Sequence, residues 1–423
     1  MIIGGGPAGL QAALQCRRSW AGKSVLLLEA EEDLGYSKPS LPQFMSGQAG
    51  EEQLFYWRAE EEDVLLQIQK GTGVQALDPA RRTLRLENEE EIRYEKLILA
   101  PGGFPLLPPL LRRDDLPGGI FAVRTLQAAR EIRKWLPTHR RAVILGAGLV
   151  GIKTAAYLRV AGFDVAVVDK EDRLLPQALT GEAARVVEKH FQNLNVQVFL
   201  GSLLEDFQGV KGEITAVRVA GKWLPCDTLL IAAGSAPRLA FLQDSGLLEN
   251  GELLVTPSLK TRDPHIFAAG DAVTIADPSG AKFKPWTWPQ AVAQGKRAAE
   301  NLYLSSPAPI LASTHPNSMN LQVLSLAVLG PRNPGSQVLS WRKPSRGVHR
   351  EIFLHDRKLD GGTLIGDISG AGPLHQLMIN REEAAERAME GLKPASRVYP
   401  QSPSGSPPRR RRARILFPEE KGK

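Results

Sequence analysis

The stretch Met1-Ile2-Ile3-Gly4-Gly5-Gly6-Pro7-Ala8-Gly9, residues 1–9, decides the fold. A helical pattern follows over residues 10–18, and then an apolar run over 25–28 that ends at Glu29. In this strand–turn–helix–strand order, the first glycine allows a tight turn, the second lets the backbone approach a pyrophosphate, and the third lets the helix pack on the strand. Glu29 is placed to bind a ribose diol. Only three residues precede the glycines, fewer than the roughly five of a usual strand, so we expect the chain to begin inside this strand.

The same arrangement recurs in the middle of the chain. Apolar residues 142–145 lead into Gly146, Gly148 and Gly151, and a second apolar run over 165–168 ends at Asp169. One such glycine pattern is weak, because a glycine-rich turn without a ligand has the same spacing. Two complete units, each closed by an acidic residue, predict two dinucleotide sites, with phosphates held at the helix N-termini.

Composition excludes several classes of protein. The two cysteines, Cys16 and Cys226, have no Cys-x2-Cys or Cys-x4-Cys spacing, so the sequence encodes neither a local redox pair nor a zinc site. Both are predicted to be core residues, and a disulfide between them depends on the fold. The chain has no apolar run of 18 residues and no signal-peptide pattern at its start, which predicts a cytoplasmic protein without a membrane span.

Most of the positive charge belongs to the C-terminal tail. Residues 401–423 hold five Arg, two Lys and two Glu, a net +5, which leaves +2 of the total +7 for residues 1–400. Residues 393–423, with Arg409 to Arg412 near their centre, are therefore predicted to be a disordered basic tail. The alternative is a tail that docks on an acidic protein, nucleic acid or membrane surface; no specific nucleic-acid partner is expected.

Four further motifs, over residues 94–103, 226–234, 261–271 and 286–295, resemble the FAD-dependent pyridine nucleotide-disulfide oxidoreductase superfamily. Within it, the chain resembles the non-disulfide branch of NADH:rubredoxin reductases and the nitrite reductase FAD/NAD module. The resemblance extends to about residue 380. It implies an α/β fold with two Rossmann-like three-layer (ββα) dinucleotide-binding domains and a C-terminal α+β interface domain. The implied domains are an FAD-binding domain at 1–110 and 253–305, an NAD(P)H-binding domain at 111–252, and the interface domain at 306–392.

The resemblance assigns FAD to the first glycine turn and NADH to the second. Asp271 is expected to bind the ribityl chain of the flavin, and the helix after residue 286 to face its pyrimidine ring. The usual Thr of the first of these motifs is replaced by Pro101. The expected FAD-binding residues are Gly4, Gly6, Pro7, Ala8, Gly9, Glu29, Lys38, Pro39, Val74, Ala100, Pro101, Gly102, Gly270, Asp271, Gln290 and Ala291. The expected NAD-binding residues are Gly146, Gly148, Val150, Gly151, Asp169, Lys170 and Gly234.

Two lysines are the candidate catalytic residues. Relatives that use a cysteine carry it in the loop after the first ribose-binding acid, where this chain has Tyr-Ser-Lys-Pro-Ser-Leu-Pro at 36–42, so Lys38 is expected beside the isoalloxazine. Relatives often have Glu where this chain has Lys153, paired with a loop Lys where it has Gln43. We hypothesise that Lys153 stabilises reduced flavin or the bound nicotinamide. The alternative is a helix lysine whose ammonium reaches solvent.

The residue that closes the second unit bears on cofactor choice. Asp169 can accept hydrogen bonds from ribose hydroxyls but repels a 2′-phosphate, which favours NADH over NADPH. Lys170 and Arg173 nearby could soften that preference. His315 does not match the late His-Pro-Thr pattern of disulfide reductases and is interpreted as linker.

Three functions remain open on the sequence. The first is an NADH-dependent reductase that passes electrons from FAD to a small, acidic electron-carrier protein such as a rubredoxin or ferredoxin. The second is an NADH oxidase; the missing loop cysteine argues against its water-forming and peroxidase forms but not against slow peroxide formation. The third is an NADH-sensing flavoprotein that acts through binding. A monomer or a homodimer is expected.

Overall fold

The computed structural model describes residues 1–380 apart from 21, 59–64, 278–279, 281, 285–286, 311–315, 323 and 331–334. The basic tail, Trp286 and His315 lie outside the described residues. The strands are β1 (Ile2–Ile3), β2 (Val25–Leu28), β3 (Leu66–Gln69), β4 (Val74–Asp78), β5 (Thr83–Leu86), β6 (Glu91–Arg93), β7 (Leu97–Leu99), β8 (Gly103–Pro105), β9 (Ile120–Ala122), β10 (Arg141–Leu145), β11 (Asp164–Val168), β12 (Gln197–Phe199), β13 (Leu204–Val210), β14 (Glu213–Val219), β15 (Lys222–Pro225), β16 (Thr228–Ile231), β17 (Ser235–Pro237), β18 (Leu248–Glu249), β19 (Glu252–Val255), β20 (Ile266–Ala268), β21 (Val273–Ala276), β22 (Lys282–Phe283), β23 (Asn317–Asn320), β24 (Ser325–Leu329), β25 (Gln337–Lys343), β26 (Val348–His355) and β27 (Lys358–Ile365). The α-helices are α1 (Pro7–Ser19), α2 (Leu41–Met45), α3 (Leu126–Trp135), α4 (Leu149–Val160), α5 (Gly181–Asn193), α6 (Trp288–Asn301) and α7 (Ala371–Asn380). Short 3-10 turns occur at Lys38–Ser40, Glu51–Leu54, Pro109–Leu111, Leu136–Thr138, Ala240–Leu242, Gly270–Ala272 and Pro344–Arg346.

The first parallel sheet has the order β20-β7-β1-β2-β3. Four of its strands precede the strands of the second parallel sheet in the sequence, and β20 follows them. Strands β1, β2, β7 and β20 are buried on both faces, which explains their unbroken apolar sequences, whereas the edge strand β3 alternates apolar and polar residues. Helix α6 packs directly against α1. The contact is close because a Cβ at Gly295 would overlap the carbonyl oxygen of Ala8. Strands β4, β5 and β6 form an antiparallel sheet that shares this core.

The second parallel sheet repeats the architecture, with the order β12-β11-β10-β16-β9. One face packs on α3, α4 and α5 through residues such as Ile144 and Val167. The other face packs on the antiparallel sheet β13-β14-β15 through residues such as Val143 and Leu229. The resulting β, β, α layer order confirms the predicted α/β fold class.

The third sheet is antiparallel, in the order β23-β24-β27-β26-β25, and carries α7 on one face. It is tied to the second sheet's domain through Glu351, which is 1% exposed and accepts hydrogen bonds of 2.7 and 2.9 Å from the Thr180 hydroxyl. The same carboxylate lies 3.0 Å from His349 Nε2. Buried polar contacts of this kind fix the position of the third sheet against α5.

Strands β8 and β17 pair with each other where the chain crosses between the first two domains. Strands β18, β19, β21 and β22 form a further small sheet. Cys16 and Cys226 are free thiols buried in different cores, so the alternative of a disulfide between them is excluded. None of the described helices is long and apolar enough to cross a membrane.

Candidate functional site

Three of the four glycines in the first turn, Gly4, Gly6 and Gly9, have three different environments. Gly4 has φ +93°, and a Cβ there would overlap the carbonyl oxygen of Ala100. A Cβ at Gly9 would overlap the carbonyl oxygen of Gly4, so this glycine sets the approach of α1 to β1. A Cβ at Gly6, in contrast, would have no described protein atom within 4 Å. Gly6 therefore faces open space, where a ligand backbone can approach.

The second turn has the same three environments. Gly146 has φ +118°, and its Cβ would overlap the carbonyl oxygen of Ala232. A Cβ at Gly151 would overlap the carbonyl oxygen of Gly146, whereas one at Gly148 would again have no described atom within 4 Å. The two turns are thus built alike, each with one open glycine.

The acidic residues that close the two units are held by matching hydrogen bonds. Glu29 accepts hydrogen bonds from the N–H groups of Gly5 and, at 2.8 Å, of Glu31. Asp169 accepts the corresponding bonds from Ala147 and, at 2.9 Å, from Glu171. Burial raises the pKa of the Glu29 carboxyl above its usual range. Each carboxylate therefore lies beside its glycine turn, where a ribose would bind.

One cleft of about 350 Å³ brings most of the expected FAD-binding residues together. Those that line it are Gly4, Gly6, Pro7, Ala8, Glu29, Lys38, Pro39, Val74, Ala100, Pro101, Gly102, Gly270, Asp271 and Ala291. Two do not line it. Gly9 lies behind Gly4, and Gln290 is buried, with its Oε1 accepting a 2.9 Å hydrogen bond from the Thr287 hydroxyl, which does line the cleft.

The donors at the cleft fit an elongated anionic dinucleotide. Helix α1 begins at Pro7 and α6 begins at Trp288, both within the cleft wall. The N-cap of α1 is Gly6, which has no side chain, and the side chain of Thr287, the N-cap of α6, accepts no hydrogen bond from its helix. The first-turn N–H groups and the positive ends of two helix dipoles are therefore directed at the cleft, which favours a bound anion.

The second glycine turn meets this cleft at the start of α4. Val150 lines the cleft together with Leu149 and Lys153. Gly146, Gly148, Gly151, Asp169, Lys170 and Gly234 lie outside its lining. Lys170 is mostly exposed, 3.8 Å from Glu171, and Gly234 has φ +107°. A dinucleotide on the second turn would thus reach the first cleft along α4, the arrangement that hydride transfer between two cofactors requires.

Both candidate catalytic lysines line the cleft, but their side chains have different partners. Lys38 pairs with Glu31 at 2.7 Å. Lys153 donates a 2.5 Å hydrogen bond to the Pro39 carbonyl, and burial lowers the pKa of its ammonium. Gln43 instead donates to the Tyr157 hydroxyl at 2.8 Å and does not line the cleft.

Several cleft residues were missed by the sequence interpretation. Arg124 pairs with Asp271 at 3.2 Å and lies two residues beyond the carboxyl end of β9, a position where parallel sheets bind ligands. That position was a usable signal. Others, for which the sequence holds no comparable signal, include Arg238, Phe241, Asn317, Ser318 and Met319. The described residues hold no cluster of His, Cys, Asp and Glu side chains suited to a metal ion.

Comparison with known proteins adds the family context. Residues 1–295 match the family model described as pyridine nucleotide-disulphide oxidoreductase. The chain is 29% identical over 317 residues to the NADH oxidase of Methanocaldococcus jannaschii, covering 71% of this chain and 69% of that protein. It is 29% identical over 278 residues to the rubredoxin-NAD(+) reductase of Alcanivorax borkumensis, covering 65% and 72%. The solved covalent putidaredoxin reductase–putidaredoxin complex matches its fold with a TM-score of 0.82 at 21% identity, covering 90% of this chain and 92% of that one.

Replacing Asp169 with alanine should shift the choice of nicotinamide cofactor. The variant loses the carboxylate that would bind the ribose diol and repel a 2′-phosphate, so we expect kcat/KM for NADH to fall about tenfold, the range of one charge-assisted hydrogen bond. The value for NADPH should stay unchanged or rise. Steady-state rates with both nucleotides measure the ratio, and Lys222→Ala, at an exposed position on β15 outside the expected NAD-binding residues, is the control. An unchanged ratio in Asp169→Ala would remove this residue from cofactor selection.

Proposed function

Because the chain belongs to the pyridine nucleotide-disulphide oxidoreductase family and is an FAD-dependent NADH oxidoreductase, we propose that it passes electrons from FAD directly to a small electron-carrier protein of the rubredoxin or ferredoxin type. The observation that carries the proposal is the chemistry of the flavin cleft. Its described lining contains no cysteine. The loop that holds a cysteine in thiol-using relatives here contributes Lys38, Pro39 and Pro42.

The two thiols of the chain are unsuited to replace a missing redox cysteine. Cys16 and Cys226 are buried away from the cleft. Burial raises the pKa of Cys16 to about 11 and that of Cys226 to about 12. Since the thiolate is the reactive form, both stay protonated and inert near neutral pH. Electrons therefore have no protein disulfide to pass through.

The cofactor supplies the redox chemistry, since a bound flavin accepts a hydride's two electrons and can release them one at a time. The protein's residues supply binding, orientation and electrostatics. The open glycines and Glu29 and Asp169 would hold the two nucleotides. The N-terminal amides of α6 would stabilise negative charge at the ring, and Val150 at the start of α4 would set the approach of the nicotinamide.

Direct transfer to oxygen is the second candidate. It is favoured by the similarity to the Methanocaldococcus jannaschii protein, which is named NADH oxidase. The two candidates differ in a measurable way, because a carrier protein must dock on the surface and oxygen need not.

Turnover with an acidic carrier should exceed turnover with air by at least about tenfold and should fall steeply with ionic strength. Electrostatic steering of an acidic carrier by basic residues raises association rates by about ten- to a thousandfold and is screened by salt. NADH consumption measured with a rubredoxin, with a [2Fe–2S] ferredoxin and with air tests this directly.

A variant lacking residues 401–423, which carry a net +5, is the matched control for the basic tail. If the tail steers the carrier, its deletion should lower kcat/KM for the carrier and leave the KM for NADH unchanged. Equal rates with air and with every carrier would favour the oxidase instead, and salt-independent turnover of the full chain would count against an acidic partner.

A further inference from the structure

Four cationic side chains line the flavin cleft, and they divide into two pairs. Lys38 and Arg124 each have a carboxylate partner, at 2.7 Å and 3.2 Å respectively. Arg238 and Lys153 form no ion pair with any carboxylate in the described part of the chain. The cleft lining also includes four carboxylates, so the second pair is distinguished by the lack of a direct ion-pair partner among the described residues and not by a net positive charge of the cleft.

Arg238 lines the cleft, and its backbone is held by the segment 100–102, which contacts the first glycine turn. Its backbone N–H donates a 3.0 Å hydrogen bond to the Gly102 carbonyl, which fixes it beside the glycine turn. The 3-10 turn that follows it, Ala240–Leu242, packs against β4, which begins at Val74. Thr72 lies in the loop before β4, and its N–H donates a 2.9 Å hydrogen bond to the backbone carbonyl of Glu29. Arg238 is itself exposed, so its guanidinium is free to meet a ligand.

Lys153 lies on α4, the helix that follows the second glycine turn, and contacts the loop that holds Pro39. Its ammonium is partly buried, donates to the Pro39 carbonyl at 2.5 Å and lies 5.8 Å from the Tyr157 ring centre. A partly desolvated ammonium without a carboxylate is unfavourable by itself. An anion that binds nearby would relieve that cost.

We propose that these two cations interact with different negatively charged parts of bound FAD. Arg238 binds the pyrophosphate, which is anionic in every redox state, whereas Lys153 faces the ring, which gains negative charge only on reduction. Arg238 therefore contributes to cofactor affinity and Lys153 to the preference for reduced over oxidised flavin. This inference rests on the FAD site and does not depend on the electron acceptor proposed above.

The test compares Arg238→Gln with Lys153→Met in two measurements that need no acceptor protein. The FAD dissociation constant is obtained from the fluorescence of cofactor released on dilution of the holoenzyme. The midpoint potential is obtained by anaerobic titration against a reference dye. Arg238→Gln should weaken FAD binding about tenfold to a hundredfold with an unchanged potential, as for the loss of a hydrogen bond between charged groups. Lys153→Met should leave the affinity for oxidised FAD within about twofold and lower the preference for reduced flavin about tenfold, a fall of about 30 mV for a two-electron couple.

Charge-conserving variants separate this role from simple packing. Arg238→Lys and Lys153→Arg should recover most of each loss, and Arg112→Gln, on an exposed residue outside the cleft, should change neither quantity. Unchanged FAD affinity in Arg238→Gln, or an unchanged potential in Lys153→Met, would overturn the proposal. The proposal would also be overturned if Lys153→Met bound oxidised FAD more weakly and Lys153→Arg did not restore the affinity. Lys153 would then act only through its hydrogen bond to the Pro39 carbonyl.

Discussion

Gly6→Ala should give a folded protein that no longer retains FAD at ordinary concentrations. The residue has φ −64° and ψ −174°, a conformation that alanine adopts without strain, and its Cβ would meet no described protein atom within 4 Å. The added methyl would instead occupy the space through which a pyrophosphate approaches the turn. Overpacking of this kind costs about 1–3 kcal/mol, which corresponds to a loss of FAD affinity of about tenfold to a hundredfold.

The matched control for this prediction is Gly9→Ala, three residues further on. Its Cβ would overlap the Gly4 carbonyl, so this variant should destabilise the protein even without cofactor. Thermal unfolding of the two apoproteins, and the flavin content of the purified proteins, distinguish the cases. A Gly6→Ala protein that binds FAD as tightly as the unchanged chain would show that the first turn does not hold the pyrophosphate.

Gly148→Ala should keep FAD and lose most of its reduction by NADH. Gly148 has φ −77° and ψ −174°, and its Cβ again would have no described atom within 4 Å, so the fold tolerates the methyl. The clash would fall on the nicotinamide dinucleotide, raising the dissociation constant of NADH about tenfold to a hundredfold. Anaerobic stopped-flow bleaching of the flavin over a range of NADH concentrations measures this.

Chemical reduction provides the internal control for Gly148→Ala, because dithionite does not need the second turn. The variant should be bleached by dithionite as fast as the unchanged protein, while Gly151→Ala, whose Cβ would overlap the Gly146 carbonyl, should be poorly folded. Normal NADH affinity in Gly148→Ala would contradict the assignment of NADH to the second turn.

The sequence predicted the parts of the molecule that are set by local geometry. A glycine that must be close to another backbone, such as Gly9 or Gly151, and an acid at the end of the next strand are fixed by the strand–turn–helix unit itself. The absence of a cysteine from the loop at 36–42 could be read directly, and with it the exclusion of thiol chemistry at the flavin. These features follow from short stretches of chain, which is why one sequence was enough.

The rest of the site depends on packing between distant segments. Asn317, Ser318 and Met319 reach the cleft only because the third sheet packs on the other two domains, and nothing local in β23 indicates this. Arg238 directly follows β17, which is positioned by its pairing with β8, a strand more than 100 residues earlier in the chain. Gln290 was expected at the flavin, but its hydrogen bond with Thr287 at the start of α6 keeps it out of the cleft lining.

A double-mixing experiment under anaerobic conditions tests whether electrons pass directly from the flavin to a carrier protein. The purified protein is first mixed with one equivalent of NADH and then with an oxidised rubredoxin or [2Fe–2S] ferredoxin, while flavin absorbance is followed. We expect complete bleaching of the flavin in the first step, and in the second its recovery with reduction of two carrier molecules per NADH. Flavin that stays reduced with every carrier and recovers only when air is admitted would contradict direct transfer from flavin to a carrier protein.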